Sequence, residues 1–195
     1  MRGGRRPGAG RKPKGPRAGV SHKARPRFEK PAAVHVTLRM REHVWNLRGG
    51  RAFRRIEACL AAALGRFGVR VVQFSVQGNH LHLIVEADSS ASLSRGMQGL
   101  SIRIAKTLNR MMKRRGRVLA DHYHSRILRT PTELVNAIAH VLGNHAHHFG
   151  SKAPVDRFSS ASLAGERRER VLAHPRTWLL RTGWRRARTR PWSRP

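Results

Sequence analysis

Hydrophobic positions change their period several times along the chain, and each change marks an element. From Ala33 to Leu38 apolar and polar residues alternate, with Val34, Val36 and Leu38 on one face, which predicts a strand. Between Arg51 and Phe67 the apolar positions are Phe53, Ile56, Leu60, Leu64 and Phe67, the three-and-four spacing of a helix. Val69 to Gln77 is short and β-branched, Gly78-Asn79 is a turn dipeptide, and a second strand follows from His80 to Glu86. Together they read as a hairpin. Leu93, Met97, Leu100, Ile104, Leu108 and Met111 then form the strongest helical stripe; Gly116 interrupts, and Tyr123 to Leu128 fits a fourth strand. Thr130, Pro131 and Glu133 announce a helix, with a capping hydroxyl, a proline suited to the first turn and a carboxylate completing a capping box. That helix turns Leu134, Ile138 and Val141 inward and ends near Gly150.

The order β-α-β-β-α-β plus a closing helix predicts an α+β, ferredoxin-like fold. Its antiparallel sheet should carry helices on one face and leave the other free to build a site. Composition sets limits around this core. The 195 residues hold 41 Lys and Arg against 10 Asp and Glu, a formal net charge of +31. Self-repulsion on that scale opposes compaction unless a polyanion screens it, and nucleic acid is the obvious polyanion. A membrane surface fits less well, because the basic residues are spread over the chain instead of along one amphipathic helix. A single cysteine, Cys59, excludes an internal disulfide and a multi-cysteine metal knuckle. No apolar run is long enough to span a bilayer and no secretory signal opens the chain, so a cytoplasmic protein is expected.

Three zones follow. Residues 1–31 are expected to be a disordered basic arm: the first thirty hold eleven Lys or Arg, six Gly and four Pro, with almost no large apolar residues. Gly10-Arg11-Lys12-Pro13 loosely resembles an AT-hook, and Arg11 and Lys12 are candidate DNA contacts. Residues 32–150 carry the periodicity. Residues 151–195 form a basic extension with Trp178, Trp184 and Trp192, where Trp178, Arg185 and Arg186 suit bases and phosphates or, alternatively, Trp178 and Leu179 dock on the core.

His80 and His82 are the residues most able to do chemistry. They alternate with Leu81 on a strand, so both imidazoles point the same way while Leu81, Leu83 and Val85 face the core. Two nitrogen ligands side by side make half of a divalent metal site, and such a metal could polarise a phosphate oxygen. Asn79 and Gln77 flank the pair and could orient a ligand or touch DNA. His122 and His124 share the same spacing without the same flanks and read as surface or DNA-facing residues. His145, His147 and His148 suit the end of a helix, where cations complement the dipole.

The run from Phe74 through Gly78-Asn79-His80-Leu81-His82 to Glu86 resembles the HUH signature of insertion-sequence-200-like transposases, in particular the REP-associated tyrosine transposases. The resemblance continues through Ser94-Arg95-Gly96-Met97-Gln98-Gly99-Leu100, Asp121-His122-Tyr123-His124 and Arg129-Thr130-Pro131, and covers roughly residues 32–149. It implies the same ferredoxin-like fold, and cleavage and rejoining of single-stranded or hairpin DNA in a bacterial, nucleoid-associated setting. His80 and His82 would bind Mg2+ or Mn2+, and a tyrosine on the last core helix would attack the scissile phosphate. In this chain that position holds His140. Asn144, four residues on, would complete the metal shell. The sole tyrosine, Tyr123, falls on the preceding strand and reads as structural. Arg95 and Arg129, inside the resembling motifs, join the candidate DNA contacts. The resemblance leaves homodimer or monomer open. It also leaves open a domesticated, non-catalytic DNA-binding protein, which the missing tyrosine favours. A basic RNA-binding protein on an open sheet face fits less well, since the strand bearing His80 offers no ring for stacking.

Overall fold

A computed structural model describes residues 27–149 and 155–188, with residues 144–149 given as backbone only. The predicted order is present: β1 (Ala32–Arg39), α1 (Gly50–Ala61), β2 (Val69–Val76), β3 (His80–Ala87), α2 (Ser90–Met111), β4 (His124–Leu128) and α3 (Pro131–Phe149). Two short helices follow, α4 (Gly165–Val171) and α5 (Trp178–Arg181), each flanked by a 3-10 turn, Ser160–Ser162 before α4 and Gly183–Arg186 after α5. The four strands form one sheet in the order β2-β3-β1-β4, every neighbouring pair antiparallel. This is the split βαβ arrangement that the periodicity predicts.

Alternation sorts the strands cleanly. Val34, Val36 and Leu38 of β1 and Leu81, Leu83 and Val85 of β3 enter the larger core. There they meet Phe53, Ile56 and Leu60 of α1 and Leu93, Met97, Leu100, Ile104 and Leu108 of α2. Gly96 lets α2 approach β2: a Cβ there would lie 2.5 Å from Val69 Cγ2. Tyr123 and Cys59 are buried in the same layer, as structural residues should be.

Two expectations are corrected. The first helix stops at Ala61, and Leu64 and Phe67 are exposed instead of continuing its stripe. The turn that follows uses positive φ at Gly65, Phe67 and Gly68, which no helix accommodates. Nor is the second face of the sheet left free. Ala33, Val72, Ile84 and Leu128 are apolar positions on that face, and they bury Leu134 and Val141 of α3 together with Leu180 of α5. Four apolar side chains on one face require a cover. The open part of the face is confined to the polar positions toward His80.

The described part of the C-terminal extension is built onto the sheet. Val76 N–H donates to Phe158 O (2.8 Å) and Ala173 N–H to Val71 O (2.8 Å), so the segment occupies the edge of β2. Arg48 grips Asp156 through two 2.9 Å hydrogen bonds. Glu86 is fully buried yet accepts from Arg70 Nε (2.6 Å), Arg176 N–H (3.0 Å to Oε2) and Thr177 N–H (2.7 Å), while Arg70 also pairs with Asp88. No helix among the described residues is long and apolar enough to cross a membrane.

Candidate functional site

On the second face, β3 presents His80, His82, Ile84 and Glu86. The ladder places Ser75 of β2 opposite His82, His82 opposite Thr37 of β1, and Thr37 opposite His124 of β4. A polar row therefore crosses the sheet beneath α3. The rings of His80 and His82 stand at right angles with centroids 4.7 Å apart. His140, on α3, brings its ring 4.9 Å from that of His82. His140 thus stands beside His82, while the Asn144 side chain lies outside the described residues.

His35 completes the group, and no motif singles it out. Its Nε2 lies 3.2 Å from His82 Nδ1, its ring stacks on His82 at 5.3 Å, and it also meets the edge of His140 at 5.8 Å. Thr37 Oγ1 is 3.2 Å from the same His82 Nδ1. Asn79 Oδ1 sits 2.8 Å from His80 Nδ1. These contacts are satisfied when both rings carry a proton on Nδ1, which turns each Nε2 into the nitrogen with the lone pair. Asn79 thus does orient a histidine, whereas Gln77 is buried and donates to Ser75 Oγ (2.7 Å). The only signal of His35 and Thr37 in the sequence is their polarity at alternate positions of β1; that they meet His82 depends on strand register.

Burial holds His82 down to a pKa of about 3, with neighbouring His80, His35 and His140 opposing a further positive charge. Burial likewise lowers His35 to about 4, helped by His140, His124 and Arg126. Both rings are neutral near pH 7, the form that binds metal. The donor chemistry fits a divalent ion in part. Two imidazoles share one strand face, but among the described residues no group of three His, Cys, Asp or Glu side chains is placed to hold an ion. A third ligand would have to come from a residue of another type, or from outside the described set.

The other candidates fall in different places. Arg129 is exposed at the start of α3, close to Arg126 and Glu133. Arg95 is exposed on α2, across the sheet from the histidines. Trp178, Arg185 and Arg186 lie on the segment packed beside α3; Leu180 docks there while Trp178 stays exposed. His122 and His124 are exposed, and Arg11 and Lys12 lie outside the described residues.

The sequence profile of the family described as "Transposase IS200 like" matches residues 31–128, half of the chain. The chain belongs to the IS200-like transposase family. The matched span runs from β1 through β4 and includes the HUH pair. Among solved structures, this family member is similar to a REP-associated tyrosine transposase bound to a REP hairpin. The two share 13% identity and a TM-score of 0.56, over 75% of this chain and 93% of the other. A protein assigned as a transposase from Deinococcus radiodurans R1 matches with 10% identity and a TM-score of 0.43, over 69% of this chain and 98% of the other. At such identities the likeness speaks to the fold. No curated protein sequence matches the chain. The profile stops at β4, so α3, with His140, lies beyond the matched span.

Proposed function

We propose that this IS200-like transposase binds single-stranded or hairpin DNA over its histidine face and no longer forms the covalent tyrosyl-DNA link of its family. The observation that carries the reading is His140, whose ring stands 4.9 Å from that of His82 where a nucleophile would have to stand. Tyr123, the chain's one tyrosine, is buried in the core on the α1/α2 side, so its phenol does not reach the histidine face. A Mg2+ or Mn2+ ion held by His80, His82 and Asn144 would supply positive charge at a phosphate oxygen. The chain's own groups do the rest. Asn79, Thr37 and His35 orient the two imidazoles, and Arg129, Arg185 and Arg186 provide phosphate contacts, joined by Arg11 and Lys12 from the arm. Trp178 offers a base-stacking ring. Arg95, on the far layer, reaches only DNA that wraps past the sheet edge.

The REP hairpin held by the similar transposase is the natural probe. Wild type is expected to bind a labelled single-stranded REP hairpin in manganese without cutting it. His140→Tyr is expected to cut the strand and retain it as a covalent adduct on a denaturing gel, and His80→Ala in that background to abolish both. Cleavage by the wild-type chain would overturn the loss of the nucleophile. Absence of hairpin binding would overturn the DNA reading itself.

A further inference from the structure

Two tryptophans of the C-terminal segment are exposed yet fixed, and we propose that they form a stacking platform for unpaired bases of single-stranded DNA leading to the histidine face. The inference rests on the DNA-binding reading above. Trp178 is 55% exposed and Trp184 41% exposed. The Trp178 ring lies so close to Gly183 that a Cβ there would sit 2.6–2.9 Å from three ring carbons. Trp184 Nε1–H donates to Arg181 O at 3.2 Å. A ring that is held in position while offering its surface to solvent pays little ordering entropy when a partner arrives.

The surroundings select the partner. The Arg186 guanidinium carbon lies 5.7 Å from the Trp178 ring centroid, and that of Arg185 lies 5.6 Å from the Trp184 centroid. No Asp or Glu follows Glu169 in the sequence, while Arg176, Arg181, Arg185, Arg186 and Arg188 lie within the described segment. Aromatic faces beside guanidinium groups fit an anion with its own π-faces, which is a nucleotide strand. A duplex hides its base faces in the stack, so the fit is to an unpaired strand.

Two tethers measure the separation from the histidines. Thr177 N–H donates to Glu86, four residues beyond His82 on the same strand face, a span of about 13 Å. Arg188 N–H donates to Thr132 Oγ1 (3.4 Å), eight positions before His140 and about 12 Å along the α3 axis. Both spans correspond to roughly four nucleotides at about 3.4 Å per stacked base. A strand engaged at the histidine face would thus reach the tryptophans after a short unpaired stretch.

The test uses the full chain and fluorescence anisotropy with two probes, a twelve-nucleotide oligothymidylate and a duplex of twelve base pairs. The double variant Trp178→Ala/Trp184→Ala is expected to bind the single strand about tenfold or more weakly, while duplex affinity stays within about twofold. That loss should be equal at low and high salt, because stacking releases no counterions, whereas Arg185→Ala/Arg186→Ala should flatten the salt slope. The Trp178→Phe/Trp184→Phe variant should recover most single-strand affinity, which separates ring chemistry from misfolding. The proposal is overturned if the Ala variant binds the single strand as wild type does, or loses the same factor on both probes. If wild type binds neither probe, the DNA reading falls first and this platform with it.

Discussion

His82 and His35 are imidazoles that folding keeps neutral. Their folded pKa values of about 3 and 4 lie below the ordinary 6.5, burial being the leading cause. Below pH 6.5 the unfolded chain therefore binds more protons than the folded one, and stability declines as pH falls through this window. The thermal midpoint is expected to drop by several degrees between pH 7 and pH 5, and His35→Asn/His82→Asn should flatten that dependence. Glu86 and Glu133 are held below the usual carboxylate range, so their contributions disappear only at lower pH and leave this interval to the histidines. A wild-type midpoint unchanged across the interval would mean that the pair is protonated without cost. At the same scale His80, His82 and the His140 position are legible from alternation and motif. His35 and Thr37 are not, because a polar residue on a strand reveals its face but not its neighbour across the sheet.

Among the elements, α3 begins where its residues dictate. Thr130 Oγ1 accepts from Glu133 N–H (3.2 Å), and Glu133 Oε2 accepts from Arg129 N–H (2.7 Å) and Thr130 N–H (3.3 Å). Local side chains make every one of these bonds, which is why the start could be read in advance. Thr130→Ala should cost about 1 kcal/mol in urea unfolding. The seam between β3 and the C-terminal segment is of the opposite kind. Burial alone would raise the Glu86 pKa, but hydrogen bonds from Thr177, Arg70 and Arg176 outweigh it and keep the carboxylate ionised. Glu86→Ala removes that acceptor and leaves Arg70, whose side chain is 9% exposed, with Asp88 as its remaining acidic partner. A loss of about 3–5 kcal/mol is expected. Limited proteolysis should then cut near Arg176, whose backbone N–H is held by Glu86 in the wild type. Equal resistance of both proteins would show that the apolar contacts of Leu180 hold the segment without the carboxylate.

For the whole molecule the governing quantity is the charge of +31. Repulsion within the folded chain should weaken as counterions screen it, so added salt is expected to raise the thermal midpoint. The same salt should weaken DNA binding, with the logarithm of the binding constant falling linearly against the logarithm of salt concentration. A slope of magnitude about 5 or more would mean that several phosphates are contacted together. Binding that ignores salt would assign the affinity to apolar contacts instead. Ion pairs of both polarities join the extension to the core: its Arg167 meets Glu57 at 2.7 Å, and its Asp156 meets Arg48 at 2.9 Å.

Periodicity, turn dipeptides and capping residues are local properties, and by themselves they determined the element order, the faces of β1 and β3, and the start of α3. Leu64 and Phe67 misled because helical spacing persists past the point where Gly65, Phe67 and Gly68 turn the backbone to positive φ. Tertiary structure alone decided which polar positions meet. Register set Thr37 against His82 and brought His35 within 3.2 Å of it, and packing of α3 and α5 on Ile84 closed half of a face that alternation had left open. Strand pairing and layer packing join residues distant in the chain, and no local pattern encodes the neighbour that only the folded core selects.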